Sequence, residues 1–407
     1  MVETVVDCGT LVDGRSEPLA DARLLVDDGE VVAVGPQESV ADPDGATYVD
    51  HGDATVTPGL IDAHLHLFGS RSMDPFEWLR ESSELGAARA TADLRKLVDA
   101  GFTAVRDVGS ATGLALREAV ADGTVPGPRV FTSGRSISQT GGHGDAHYLP
   151  YEWATDPEAG GSTLADGPAE CRKEARKRIR QGVDCVKIMT TGGVLSEKDA
   201  PDQSQFTDEE IRAFTQEAHR VDVPVASHAQ GAPGVKAALR NGVDTIEHGF
   251  YLDEECFRLF EETGAVLVPT LAIMHRLVTE GEDHGVPEYG LEKAAEARDA
   301  HFESARRAYE AGIPIALGTD FLGPELVPHG RNALEAELFV EEVGMTEREA
   351  IEAGTRVAAE TLPENDLGTL VEGARADFVA FADDPLADIS ALREPAAVYK
   401  NGDRVDA

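Results

Sequence analysis

The sequence predicts an α/β protein whose main body is a (β/α)8 barrel and whose two ends contribute strands to a smaller sheet. Short β-like runs alternate with longer helical stretches eight times along the middle of the chain. Eight such units over roughly 250–300 residues are typical of a closed parallel barrel. Histidine, lysine and aspartate follow several of these runs, where the carboxyl ends of barrel strands would share one mouth.

Both ends of the chain are predicted to form β-strands. Near the N-terminus, residues 23–26 and 31–34 flank Asp27-Asp28-Gly29-Glu30, which predicts a β-hairpin. Near the C-terminus, residues 376–381 are a predicted strand, and a further β-like run leads into the strong turn signal Asn401-Gly402. We expect the two ends to pair into one small sheet domain.

The middle of the chain contains eight predicted strands alternating with predicted helices. The strands are predicted at residues 56–67, 103–107, 129–133, 185–189, 225–228, 245–247, 266–268 and 315–318. The helices are predicted at residues 76–99, 170–181, 208–221, 234–241, 253–262, 292–311 and 332–342. Several helices end at a glycine, which favours the left-handed turn that follows a helix. A doubly wound open sheet is the alternative, but no Gly-x-Gly-x-x-Gly follows the first strand, which disfavours its dinucleotide-binding form.

The composition indicates a salt-adapted, halophilic protein with an acidic surface. The formal net charge is −39, and the acidic residues are scattered along all 407 positions. Only eight of the 36 basic residues are lysine, and the others are arginine. Such a surface repels phosphate groups, so we expect no nucleic-acid partner.

The sequence predicts a cytoplasmic protein without a membrane partner. The N-terminal residues carry no secretory signal, and no apolar run approaches membrane-spanning length. Cys8, Cys171, Cys185 and Cys256 have no paired spacing, which argues against a disulfide framework and a thiolate metal site. A homo-oligomer is compatible with the sequence.

The first predicted strand of the body carries two histidines, His64 and His66, shortly after Pro58-Gly59. Side chains at positions i and i+2 of a strand point to the same face, so the two imidazoles converge. Leu65 and Leu67 point the other way. Two convergent imidazoles are suited to form half of a divalent-metal site.

Residues of similar chemistry lie in four later strands or directly after them. Lys187 interrupts the apolar fourth strand, and His228 and His248 end the fifth and sixth strands. Asp320 follows Gly318-Thr319 at the end of the eighth strand. In a parallel barrel, these side chains would meet the two histidines of the first strand at one mouth.

These motifs resemble the metal-dependent amidohydrolase superfamily, and within it the imidazolonepropionase-like and prolidase-like (Xaa-Pro dipeptidase-like) amidohydrolases. The matching segments are Pro58-Gly59-Leu60-Ile61-Asp62-Ala63-His64-Leu65-His66, Val186-Lys187-Ile188-Met189-Thr190-Thr191-Gly192-Gly193, His228-Ala229-Gln230-Gly231, Ile246-Glu247-His248-Gly249, Gly318-Thr319-Asp320 and residues 367–377. The resemblance covers essentially the whole chain. It implies a TIM-like barrel at residues 57–365 and a β-sandwich made from residues 1–56 and 366–407.

The resemblance also implies a hydrolytic site with one or two divalent metals, most simply two Zn²⁺ ions. The residues that resemble the family's ligands are His64, His66, Lys187, His228, His248 and Asp320. Lys187 resembles the bridging lysine that is carboxylated on its amine; a carbamate offsets the charge of two cations, whereas an ammonium would be repelled. Asp320 resembles the general base that activates the nucleophilic water and then protonates the leaving nitrogen. The implied reaction is hydrolysis of a C–N amide bond in a dipeptide or an N-acyl amino acid.

Candidate substrate contacts follow the same strands. His143 lies in a glycine-rich segment that resembles the family's substrate-binding loop, and it is a candidate to hold a substrate carboxylate or carbonyl. A surface histidine in a glycine-rich turn is the alternative. Tyr251, His329 and Arg331 lie just past ligand-bearing strands and are further candidates.

Specificity is expected to depend on one departure from the family and on two long connections. Gln230 stands where some prolidase-like relatives carry tyrosine, which weighs against specificity for proline dipeptides. The connections 136–167 and 271–290 exceed ordinary loop length and are predicted to be lids.

Two other functions stay open at this point. A cyclic-amide hydrolase of the imidazolonepropionase type would use one metal and would not need a carboxylated lysine. A catalytically inactive scaffold with the same fold is the other alternative, although such proteins usually lose ligands, and here all the candidate positions carry competent side chains.

Overall fold

The computed structural model describes residues 3–155 and 161–405. Residues 156–160, which belong to the predicted lid 136–167, lie outside the described residues. The strands are β1 Thr4–Leu11, β2 Leu19–Asp27, β3 Glu30–Pro36, β4 Thr47–Asp50, β5 Thr55–Pro58, β6 Leu60–Leu65, β7 Phe102–Asp107, β8 Arg129–Thr132, β9 Ile137–Ser138, β10 Thr163–Leu164, β11 Val186–Met189, β12 Val225–Gly231, β13 Thr245–Tyr251, β14 Val266–Val268, β15 Phe378–Phe381, β16 Ala397–Lys400 and β17 Asp403–Arg404.

The helices lie mainly between the strands of the body, as expected for an α/β protein. They are α1 Pro75–Trp78, α2 Ser83–Asp99, α3 Gly113–Ala121, α4 Tyr151–Ala154, α5 Gly167–Gln181, α6 Asp208–His219, α7 Ala232–Arg240, α8 Glu254–Thr263, α9 Leu271–Glu280, α10 Glu288–Glu310, α11 Leu334–Leu338, α12 Glu347–Ala353 and α13 Arg356–Ala359. None of the helices in the described ranges is both long and apolar enough to cross a membrane.

The two ends of the chain share one eight-stranded sheet. Its order is β17-β16-β15-β5-β1-β2-β3, with β4 paired to β1. The antiparallel pairing of β15 with β5 joins the C-terminal strands to the N-terminal ones. The predicted hairpin is confirmed, since Asp27 pairs with Glu30, and the predicted turn at Asn401-Gly402 connects β16 to β17. A buried cluster that includes Leu24, Val56 and Phe378 stabilises this sheet.

The body contains two parallel sheets, which confirms the mixed α/β class. One sheet has the order β6-β7-β8, and the other has the order β10-β9-β11-β12-β13-β14. The segment 314–321 contacts both: Ala316 N donates to Leu267 O (2.9 Å) beside β14, and Ala63 N in β6 donates to Leu317 O (2.8 Å). Single parallel bridges lie at the two ends of this segment, at Ile315 and Phe321.

The predicted strand 56–67 was wrong as one element, because the chain changes sheets at Gly59. Gly59 N donates to Asp377 O (2.8 Å) of the terminal sheet, and Leu60 N donates to Gly101 O (3.0 Å) of the body. The predicted strand 315–318 does not form a regular strand either. Asp320 adopts a left-handed conformation (φ 57°), which interrupts the extended backbone between the isolated bridges at Ile315 and Phe321.

Several helix predictions also need correction. The predicted helix 76–99 is two helices, because Ser82 caps the N-terminus of α2 and the chain turns before it. The predicted helix 332–342 is α11 followed by a π-helical turn, Phe339–Val343. The predicted lid 271–290 is mostly helix: α9 buries Leu271, Met274 and Leu277 on one face, at the spacing of an amphipathic helix.

Gly59→Ala should destabilise the fold, since a Cβ at this position would lie 2.0 Å from Thr103 Oγ1. We expect the free energy of unfolding, measured by urea denaturation, to fall by about 1–3 kcal/mol from overpacking. Gly161→Ala is the control, because its Cβ would meet no atom of the described residues within 4 Å. Equal stability of the two variants would contradict the assigned close approach of β6 and β7.

Candidate active site

Three predicted ligands, His64, His66 and Asp320, meet at the end of β6. Asp320 Oδ1 lies 3.4 Å from His64 Nε2 and 3.1 Å from His66 Nε2. One ligand atom from each residue lies within 4.8 Å of the others, so this group is able to hold a metal ion. Burial by itself would raise the pKa of Asp320, but the adjacent histidines outweigh it and hold that pKa well below its usual range.

The turn that carries Asp320 is fixed by a buried carboxylate. Asp320 N donates to His64 O (2.7 Å), so the turn stays attached to β6. Asp62, two residues before His64, accepts hydrogen bonds from Thr319 Oγ1 (2.7 Å) and Asn332 Nδ2 (2.6 Å). The left-handed backbone of Asp320 is therefore held by side chains from three separate segments.

His228 and His248 lie on the neighbouring strands β12 and β13. Their ring centroids are 4.6 Å apart, and the ring of His248 is 5.1 Å from that of His64. His228 Nε2 donates to Gly192 O (3.1 Å), so its Nδ1 carries the free lone pair. His248 Nδ1 bonds to Thr270 Oγ1 (2.8 Å), which leaves its Nε2 free.

The protonation of these side chains suits metal binding. Burial lowers the pKa values of His228 and His248 well below their ordinary value, so both rings are neutral, as a ligand must be. Lys187 is only 3% exposed. Burial lowers the pKa of its amine, although the carboxylates of Glu247 and Asp320 act in the opposite direction.

A second layer of charge behind the site was not predicted from the sequence. Glu247 accepts a hydrogen bond from His64 Nδ1 (2.6 Å), which leaves His64 Nε2 free toward Asp320. Arg106 on β7 donates to Glu247 Oε1 (2.9 Å) and to Ala63 O (2.6 Å). Burial would raise the pKa of Glu247, but the charge of Arg106 and the hydrogen bond from His64 lower it to about 2. The sequence offered one sign of this layer, because the buried strands β7 and β13 each contain a charged side chain, Arg106 and Glu247.

All six predicted ligands line one cavity with a volume of about 280 Å³. Part of its wall is aromatic, consisting of Phe68, Trp78, Tyr148 and Tyr289. The ring of Phe68 stacks on His66 at 5.0 Å between centroids. The cavity therefore places an apolar surface directly beside the predicted metal ligands.

The predicted substrate contacts lie in different places. His143 lines the cavity and stacks on His228 at 4.1 Å between centroids, and burial lowers its pKa. His329 donates from Nε2 to His66 O (3.1 Å) and is not among the described side chains that line the cavity. Tyr251 is 37% exposed at the end of β13, and Arg331 is exposed as well. Within the described part of the chain, neither of these two lines the cavity.

We expect Glu247→Gln to lower the free energy of unfolding at neutral pH by about 3–5 kcal/mol, because Arg106 would stay buried without its counter-charge. The folded pKa of Glu247 is about 2, against an ordinary value of 4.5. Stabilisation by its charge is therefore complete above pH 4.5 and is lost as the pH falls toward 2.

Urea denaturation of the wild type and this variant checks that expectation. The difference in unfolding free energy should be constant near neutral pH and should shrink below pH 4.5. Glu261→Gln, at an exposed position on α8, is the control and should change stability by less than about 0.5 kcal/mol. A difference that does not vary with pH would contradict the assigned ion pair.

Known proteins match the chain over nearly its full length. Residues 55–405 match the sequence profile of the amidohydrolase family. The chain is 34% identical over 412 residues to an ochratoxinase of Aspergillus niger, covering 97% of this chain and 84% of that protein. It is 26% identical over 417 residues to an imidazolonepropionase of Cereibacter sphaeroides, covering 96% and 95%, respectively.

A solved structure shares the fold. The crystal structure of a Xaa-Pro dipeptidase with methionine bound in its active site is 34% identical and has a TM-score of 0.90. The match covers 99% of this chain and 100% of that one. The resemblance inferred from the motifs is therefore confirmed: the chain belongs to the amidohydrolase family.

Proposed function

We propose that this protein is a metal-dependent hydrolase that cleaves the C–N amide bond of a dipeptide or an N-acyl amino acid. The observation that carries the proposal is the convergence of four histidines, one lysine and one aspartate on a single cavity. Random placement of these residue types would not bring side chains from five separate segments of the chain to one wall. Membership of the amidohydrolase family supports the same reaction class.

We propose that the body, residues 57–365, closes into a (β/α)8 barrel. The support is the segment 314–321, which is hydrogen-bonded on one side to β14 and on the other to β6. Asp184 N donates to Thr132 O (2.8 Å) and so links the ends of β8 and β11. Residues 1–56 and 366–407 would form the β-sandwich domain, in which β5 and β15 join the two ends.

The donor set fits two divalent cations, for which Zn²⁺ is the simplest choice. His64, His66 and Asp320 would hold one cation, and His228 and His248 would hold the other. The hydrogen bonds of His64, His228 and His248 each occupy one ring nitrogen and leave the second for a metal, a common arrangement for metal-binding histidines. Lys187, carboxylated on its amine, would bridge the two cations; its lowered pKa favours the neutral amine that reacts with carbon dioxide.

Asp320 would act as the proton carrier. When bound, the cations supply Lewis acidity, which polarises a carbonyl and makes water more acidic. Asp320 Oδ1, oriented between the two histidines of β6, would take a proton from the attacking water as the C–O bond forms. It would then deliver this proton to the leaving nitrogen as the C–N bond breaks. The fixed turn around Asp320 would keep its carboxylate aligned for both transfers.

The cavity supports a small substrate with an apolar side group. Its volume of about 280 Å³ and its aromatic wall suit one amino acid residue with a modest acyl or aminoacyl group. Two similar proteins are named an ochratoxinase and a Xaa-Pro dipeptidase. Their names support a small amide substrate for this protein. The imidazolonepropionase relative keeps a cyclic-amide hydrolase with one metal as the second candidate, because the cluster of His64, His66 and Asp320 is complete on its own.

Asp320→Asn is expected to lower kcat by at least about 100-fold, because the amide cannot accept the proton from water. The assay is a hydrolysis screen of dipeptides, N-acyl amino acids such as N-acetyl-L-phenylalanine, and cyclic amides, at high salt with added zinc or manganese. Asp283→Asn, at an exposed position, is the control and should retain full activity. Full activity of the Asp320 variant on every hydrolysed compound would show that the base is another group.

Metal content distinguishes the two-metal site from the one-metal alternative. We expect two zinc ions per chain in protein prepared with bicarbonate, and one or fewer in Lys187→Met, which cannot form the bridging carbamate. Elemental analysis by mass spectrometry measures the ratio. One metal per chain in both proteins, with or without bicarbonate, would favour the cyclic-amide hydrolase.

A further inference from the structure

A short turn, residues 193–199, is tied to helix α10 by one lysine. Lys293 Nζ lies 2.6 Å from Ser196 O, 2.5 Å from Asp199 O and 3.5 Å from Gly193 O. Three backbone carbonyls thus surround one ammonium. The same helix adds a contact between Tyr289 Oη and Leu195 O (3.5 Å). The conformation of the turn therefore depends on a side chain about 100 residues later in the chain.

Lysine, and not arginine, suits this position. The ammonium is a compact charge with three donors arranged around one nitrogen, which matches three carbonyl oxygens that face a common point. The guanidinium of arginine is planar and directs its donors to the edge of a fork. Position 293 is one of only eight lysines among 36 basic residues in this chain.

The turn carries a hydroxyl and a carboxylate that orient His143. Ser196 Oγ lies 3.0 Å from His143 Nδ1 and also bonds to the buried Asp199 carboxylate. Asp199 Oδ2 accepts from Gln205 Nε2 (3.0 Å), and Gln205 Oε1 accepts from His143 N (2.9 Å). Both the ring and the backbone of His143 are therefore connected to one carboxylate of the turn.

The contact between the turn and the His143 ring leaves no spare room. A Cβ at Gly193 would lie 2.3 Å from His143 Cε1. The ring also stacks on His228, at 4.1 Å between centroids. With neighbours this close, a displacement of the turn changes the position of the His143 ring in the cavity.

We propose that Lys293 is a positioning residue that holds the turn 193–199 and, through Ser196 and Asp199, sets the orientation of His143 for substrate binding. The effect on catalysis rests on the proposed function and on contact between the substrate and His143, which lines the cavity. The effect on the structure of the turn does not rest on it. Among the described residues, Lys293 is not part of the cavity wall, and its hydrogen bonds go to the turn, so it would act through His143.

Kinetics of Lys293→Met test the catalytic part, with N-acetyl-L-phenylalanine as the probe. We expect KM to rise about tenfold while kcat changes less than about twofold, since binding geometry and not proton transfer is disturbed. Lys198→Met removes an exposed lysine from the same turn and should leave both constants unchanged. Lys293→Arg should recover only part of the loss. In a His143→Ala background, Lys293→Met should have no further effect on KM.

Hydrogen–deuterium exchange tests the structural part without any substrate. In Lys293→Met, amide exchange should accelerate about tenfold in residues 193–199 and 141–145, but not in β12.

Unchanged exchange in both segments would overturn the proposal, as would a full additional effect of Lys293→Met in the His143→Ala background. Faster exchange throughout the body would also overturn it, because it would indicate a merely structural role. If the probe is not hydrolysed by the wild type, the proposed function is weakened, and exchange in residues 141–145 alone decides the role of Lys293.

Discussion

The buried carboxylate of Glu247 is the interaction on which the site depends. It joins β13 to β7 through Arg106 and fixes the ring of His64 on β6, so one side chain connects both parallel sheets. Both charges of the ion pair are at most 1% exposed. Burying them is costly unless each is fully hydrogen-bonded, and here Thr245 Oγ1 donates to Glu247 as well, at 2.5 Å. The pair therefore contributes orientation and register more than net stability.

Three residues with an unusual backbone conformation lie at the cavity or next to a residue that lines it. His248 (φ 79°), Thr270 (φ 57°) and Asp320 (φ 57°) are non-glycine residues in the left-handed region. Each such residue costs of order 1–3 kcal/mol unless neighbouring contacts compensate it. The compensation is visible at Thr270, which bonds to His248 and precedes a helix whose first two amides donate to the buried Glu335 carboxylate. Of these three residues, His248 and Asp320 line the cavity, and Thr270 orients His248 through its hydrogen bond.

The positions of the candidate site residues could be predicted from the sequence more closely than the details of the fold. His64, His228, His248 and Asp320 were placed together because the carboxyl ends of parallel strands share one edge, a rule that needs only strand positions. The pairing behind them was not predicted, because Arg106 and Glu247 are separated by 141 residues and the motif that contains Glu247 gives no sign of its distant partner. The change of sheet at Gly59 was missed for a similar reason, since its cause is the approach of a distant strand.

The pairing of β15 with β5 has a consequence for biosynthesis. Strand β5 can pair with β15 only after residues 378–381 have left the ribosome. Until then, β5 presents an unpaired edge, and open edges are sites of aggregation. Synthesis must therefore reach residue 381 before the sheet that begins at the N-terminal strands is complete, and the partly made sheet is exposed to aggregation for most of that time.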